Sequence, residues 1–110
     1  MAGSRPGNVV AGTWAAMMKI GESGYFENAK IVLTACSNLK KAIRAEVPEV
    51  VVGTRDDSCV VSIVQKSGPN SINPIALRDV ILKQYHYTFC SLQNPAGLHI
   101  SMTLPLAQEW

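Results

Sequence analysis

The sequence predicts an α/β fold of the α+β kind, in which two N-terminal helices precede a small, mainly antiparallel sheet covered on one side by helices. Three observations carry that expectation. Tyr25, Ala29, Val32, Cys36, Leu39 and Ile43 recur at alternating steps of four and three, which places them on one face of a helix that needs a surface to cover. Residues 59–65 form a β-branched run in which Ser62 is the polar interruption, the composition of a strand. Leu98, Ile100, Met102 and Leu104 alternate strictly with His99, Ser101 and Thr103, so the last strand buries one face only.

In chain order, Val10, Trp14, Met17 and Met18 recur at helical spacing, with Asn8 a suitable N-cap and a first helix expected from Asn8 or Val9 to about Gly21. Small residues at Ala11, Gly12, Ala15 and Ala16 leave a face for close packing, and the Trp14–methionine stripe reads as core. Gly21-Glu22-Ser23-Gly24 interrupts the pattern, and Ser23 or Gly24 can cap the second helix. Lys40, Lys41 and Arg44 gather at its C-terminal end, where the helix dipole favours cations, and read as a solvated end.

Beyond Pro48, Val50 to Val52 form a short strand ended by Gly53, and Thr54-Arg55-Asp56-Asp57-Ser58 is a turn. The adjacent acids Asp56 and Asp57 are expected to face water, because acid–base work needs convergent carboxyls with separated pKa values. Gly68-Pro69-Asn70-Ser71 links to a third helix started by Asn73 as cap and Pro74 at the first helical position. A strand over 87–92, a turn over 94–97 and the alternating strand complete the chain, which stops at Trp110 where a further helix could begin.

The composition bounds the function. At 110 residues the chain is one small domain, and 47% hydrophobic against 16% charged residues makes it globular. A net charge of +2 without a basic stripe argues against nucleic acid as partner. Cys36, Cys59 and Cys90 are odd in number and lack metal-ligand spacing, so buried free thiols are expected and no metal site is assigned. The N-terminus does not read as a signal peptide, and no apolar run reaches the roughly 20 residues of a membrane span.

The candidate functional stretch is Ala2-Gly3-Ser4-Arg5-Pro6-Gly7-Asn8. Glycines allow close backbone approach, Ser4 offers a hydroxyl and Arg5 a planar charged fork, all ahead of a helix N-terminus that favours anions. A capping loop with Arg5 in a structural ion pair is the alternative. Together with Trp14-Ala15-Ala16-Met17-Met18 and Gly21-Glu22-Ser23-Gly24-Tyr25, this stretch resembles the segment that follows the catalytic core in sphingosine-1-phosphate lyases. The likeness is dense over residues 2–46 and looser to about 104, where it rests on Leu92-Gln93-Asn94-Pro95 leading to Leu98-His99-Ile100.

That resemblance implies a fold-type-I, pyridoxal 5'-phosphate-dependent enzyme related to the group II amino-acid decarboxylases. Residues 1–24 would be a phosphate-loop and crossing-helix segment, and 25–110 the C-terminal small domain. It also implies a homodimer with a shared active site, a sphingoid-base phosphate as substrate, and Gly3, Ser4 and Arg5 on the phosphate of the neighbouring subunit's cofactor. Arg5 could instead hold the loop against that neighbour. His99 matches a family position, but a structural or solvent role is expected for it. None of the lysines lies in the family's His-Lys context, so no catalytic residue is assigned and the chain should be inactive alone. Any membrane contact would run through a segment absent here, with the endoplasmic reticulum membrane expected for a eukaryotic full-length protein and the cytoplasm otherwise. A group II decarboxylase small domain, or a non-catalytic folding or dimerisation fragment, are the competing readings.

Overall fold

The structure, a computed structural model, describes residues 3–109, so Met1, Ala2 at the head of the loop motif and Trp110 lie outside the described residues. Local contacts divide the chain into two units, Met1–Lys30 and Ile31–Trp110. Helix α1 (Gly7–Glu46) is two helical segments joined across a kink at one non-helical residue, Gly21, at φ 67° and ψ 172°. Only glycine occupies that region without strain, so the interruption expected over 21–24 is realised as a kink at a single residue.

In the first unit, residues 3–6 are irregular and the helix opens at Gly7. The N–H groups of Val9 and Val10 donate to the Pro6 carbonyl at 3.1 and 3.4 Å, which puts Pro6 in the capping position. Asn8, expected as the cap, sits inside the first turn and its Oδ1 accepts from Val9 N–H at 2.9 Å. The stripe read as core is exposed: Trp14 and Met18 are each 65% accessible and Met17 54%. Helical spacing identifies an apolar face, but a face becomes core only where a second layer covers it, and this unit is built from the helical run alone.

The second unit holds a four-stranded antiparallel sheet made of β1 (Val50–Val52), β2 (Val60–Gln65), β3 (Cys90–Gln93) and β4 (Ala96–Ser101) in the order β1-β2-β4-β3. Val61 lies opposite Ile100, and Ile63 opposite Leu98, so these four share one face. On that face the end of α1 contributes Ala35 and Cys36, flanked by Val32, Leu39 and Ile43, while α3 (Leu104–Glu109) adds Leu106 and Ala107. With Val61 and Met102 these residues form the core. The Tyr25–Ile43 stripe is thus core from Val32 onward, whereas Tyr25 is exposed.

Helix α2 (Pro74–Tyr85) starts as expected, with Asn73 Oδ1 accepting from Ile75 N–H at 2.9 Å and Pro74 in the first turn. It packs on β4 and β2, and its Arg78 donates to Ser91 Oγ, which stands on the same face as Leu98. The helices therefore cover one face of the sheet. The opposite face carries Val51, Ser62, Val64, Cys90, Leu92, His99 and Ser101.

Five local expectations are corrected. The last strand ends at Ser101, and Leu104, expected on its buried face, opens α3 inside the chain. The strand expected from residue 87 begins only at Cys90, and Gly97, placed in the turn, is a buried strand residue opposite Val64. Of the three cysteines only Cys36 is buried. Lys40, read as part of a solvated helix end, is fully buried: its Nζ donates to the carbonyls of Arg55 at 2.6 Å and Ser58 at 2.9 Å. No described helix is long and apolar enough to cross a membrane.

Candidate functional site

The front loop owes its shape to its residues. Pro6 cannot donate a hydrogen bond, so it ends the irregular segment and offers its carbonyl to the first helical turn. Upstream, Gly3, Ser4 and Arg5 are exposed, and a Cβ built on Gly3 would meet nothing within 4 Å. Among the described residues, the internal ion pairs are Arg44–Asp56, Arg55–Asp57 and Arg78–Asp79, and Arg5 belongs to none of them. The alternative of Arg5 in a structural ion pair within the chain is therefore not realised among the described residues.

Arg5 stands at one end of a groove of about 460 Å³ on the first unit, lined further by Val9, Val10, Thr13, Trp14 and Met17. A guanidinium and a hydroxyl on open backbone suit a phosphate group, since both can donate charge-assisted or neutral hydrogen bonds to its oxygens. The donor set thus fits the phosphate end of a cofactor. Of the lysines, Lys66 donates to the Pro48 carbonyl at 2.8 Å, and Lys40 is held by the carbonyls of Arg55 and Ser58.

The remaining candidates separate cleanly. Asp56 accepts from Arg44 at 2.8 Å, and Asp57 accepts twice from Arg55, at 3.0 and 2.6 Å. The Arg44 guanidinium, through its hydrogen bond and then its charge, holds the Asp56 carboxyl below its ordinary value. Both acids are exposed, so they act as surface ion pairs rather than as an acid–base couple. Among the described residues no group of three His, Cys, Asp or Glu side chains could hold a metal.

His99, for which a structural or solvent role is expected, is only partly exposed. It lies on the face away from the helices, but its Nδ1 is buried without a hydrogen-bond partner. Its cross-strand neighbours are Ser62 on one side and Cys90 on the other. Reading the residues alone missed this row, because the register that aligns positions 62, 90 and 99 is a long-range property. It missed the Lys40 clamp for the same reason. A helical count from Cys36 does put Lys40 one turn on, at i+4, which was the available signal.

No protein-family model matches the chain. Sphingosine-1-phosphate lyase of Arabidopsis thaliana is 36% identical over 105 residues, which is 94% of this chain and 18% of that protein. The Saccharomyces cerevisiae lyase is 34% identical over 103 residues, again 94% of this chain and 17% of its own length. The solved structure of a sphingosine-1-phosphate lyase from Burkholderia pseudomallei superposes with a TM-score of 0.76 at 28% identity, covering 99% of this chain and 24% of that one. The chain therefore spans less than a fifth of the curated relatives that it matches. On sequence and on fold, the chain is a homologue of the sphingosine-1-phosphate lyases, matching a C-terminal part of such a lyase.

Proposed function

We propose that these residues serve as the C-terminal part of a pyridoxal-phosphate-dependent lyase that splits phosphorylated sphingoid bases into a long-chain aldehyde and phosphoethanolamine. The observation that carries this reading is homology to such lyases along 94% of the chain. In that chemistry the cofactor, when bound, is the electron sink for carbon–carbon cleavage. This chain's part is to bind and orient. Gly3 leaves room for a phosphate to approach the backbone, the Ser4 hydroxyl donates to a phosphate oxygen, and Arg5 supplies charge.

The site so formed belongs to the cofactor of a neighbouring copy, in a homodimer with a shared active site. The exposed stripe of Val9, Val10, Trp14, Met17 and Met18 supports that arrangement, because apolar patches of this kind mark surfaces that are covered in an assembly. The Ser4-Arg5-Pro6-Gly7 loop favours the lyase over a group II decarboxylase. In a eukaryotic full-length protein the expected site of action is the endoplasmic reticulum membrane, and otherwise the cytoplasm.

The test grafts residues 3–109 into the Burkholderia pseudomallei lyase in place of the matched segment. A dimeric chimera that releases long-chain aldehyde from a phosphorylated sphingoid base is expected. Within it, Ser4→Ala should weaken cofactor retention by about 1.5–3 kcal/mol, one to two orders of magnitude in Kd, through loss of one charge-assisted hydrogen bond. A folded, dimeric chimera without activity overturns the reaction, and unchanged cofactor affinity in Ser4→Ala overturns the phosphate assignment.

A further inference from the structure

We propose that Cys36 and Cys59, on facing surfaces of α1 and the start of β2, form a peroxide-sensitive disulfide that fastens the end of the helix to the sheet. The inference is independent of the reaction proposed above, since it uses only residues of the second unit.

Strand register brings the two thiols to one face. β2 pairs Val61 with Ile100 and Val60 with Ser101, and the Met102 N–H donates to the Cys59 carbonyl at 2.9 Å, so the ladder runs on to a Cys59–Met102 pair. Side chains alternate along a strand, which gives Cys59 the same face as Val61, the face that the end of α1 covers. Met102 and Cys36 belong to one core cluster on that face. From the helix side, Lys40 follows Cys36 by one turn and donates at 2.9 Å to the carbonyl of Ser58, the residue before Cys59. Hydrogen bonds on both flanks of Cys59 thus hold it to the surroundings of Cys36. The two thiols also feel each other: burial pushes the Cys36 thiol up, Lys40 pulls it down, and Cys59 adds a smaller upward push.

The two thiols differ in access, and that difference orders the chemistry. Cys59 is exposed and meets the oxidant first, whereas Cys36 is fully buried. The Cys59 thiolate attacks one oxygen of hydrogen peroxide, the O–O bond breaks, and the departing hydroxide takes up a proton, which leaves a sulfenic acid and water. The Cys36 sulfur then attacks the Cys59 sulfur. The S–S bond forms, the S–O bond breaks, and hydroxide leaves as water with the proton of the Cys36 thiol. Two thiols lose two electrons, and one peroxide is reduced to two waters. A disulfide needs its Cβ atoms about 3.5–4.5 Å apart. Cys59 stands between a turn and the first residue of β2, where backbone yields more readily than inside a strand.

Cys90 is the internal control. It is exposed like Cys59, but it pairs with His99 on the opposite face, so the sheet itself separates it from Cys36. Pairing decided by exposure alone would treat Cys59 and Cys90 alike, whereas pairing decided by the fold selects Cys59. The bond closes the segment that contains Lys40, β1 and the turn after it, and a closed segment has less freedom to gain on unfolding.

The experiment exposes the full chain to hydrogen peroxide and maps disulfides by mass spectrometry of unreduced tryptic peptides. Lys40, Lys41, Arg44 and Arg55 put Cys36 and Cys59 on separate fragments, so the link is read directly. A Cys36–Cys59 link about tenfold more abundant than any link to Cys90 is expected, with a rise in Tm of roughly 10 °C that dithiothreitol reverses. Cys59→Ser should abolish both effects, and Cys90→Ser should leave both unchanged. Links to Cys90 in equal amount overturn the proposal, as does oxidation of Cys59 with Cys36 left a free thiol, or a link that leaves Tm unmoved. Should either serine variant fail to fold, the peptide map and the melting of the unsubstituted chain decide alone.

Discussion

Replacing Lys40 by methionine tests whether a buried charge holds the second unit together. The ammonium is fully buried and donates at 2.6 and 2.9 Å to the carbonyls of Arg55 and Ser58, so it ties α1 to the turn between β1 and β2. Each charge-assisted bond is worth about 1.5–3 kcal/mol net. Against the sum stands the cost of dehydrating the ammonium, several kcal/mol, which methionine does not incur. Methionine keeps the stem's packing, and the carbonyls sit in a turn whose residues are exposed or partly exposed, where water can partly replace Nζ. The balance is a loss of about 2 kcal/mol, which for a chain of this size lowers Tm by roughly 10 °C. Urea unfolding followed by circular dichroism reads the change. A Lys40→Met chain as stable as the parent would refute the argument, because the desolvation cost would then equal or exceed the bonds.

Two further outcomes follow from single contacts. A Cβ on Gly97 would lie 2.6 Å from the Ile63 carbonyl oxygen and 3.1 Å from a Val64 methyl, so Gly97→Ala must push β4 from β2 and should cost about 1–3 kcal/mol; an unchanged urea midpoint would show that the strands can yield. The Asp56 carboxyl is held below its ordinary value by the Arg44 guanidinium, so its contribution is present above the unfolded value and lost as pH falls through the folded one. An NMR titration should therefore find Asp56 below the ordinary aspartate value, and Arg44→Ala should raise it; an unmoved titration removes the pairing.

Much of the second unit was legible before its structure. The Asn73-Pro74 start, the β-branched run of β2 and the Val32–Ile43 stripe are short-range signals, set by hydrogen bonds and spacings within a few residues. The front loop was legible as a glycine-rich segment ahead of a helix, since Gly3, Ser4 and Arg5 are exposed residues just before α1 opens at Gly7. Trp14, Met17 and Met18 misled, since periodicity marks a face without saying what covers it.

Sequence by itself thus determined most element types, the helical break at a glycine and the likeness to the sphingosine-1-phosphate lyases. Only the tertiary structure decided which cation is buried, which cysteines reach solvent, where β4 yields to α3, and which side chains stand beside His99. The physical reason is the range of the forces concerned. Propensity and capping act over one turn of chain, whereas burial and strand register depend on residues brought together from far apart, as Lys40 and Ser58 or Ser62, Cys90 and His99 are.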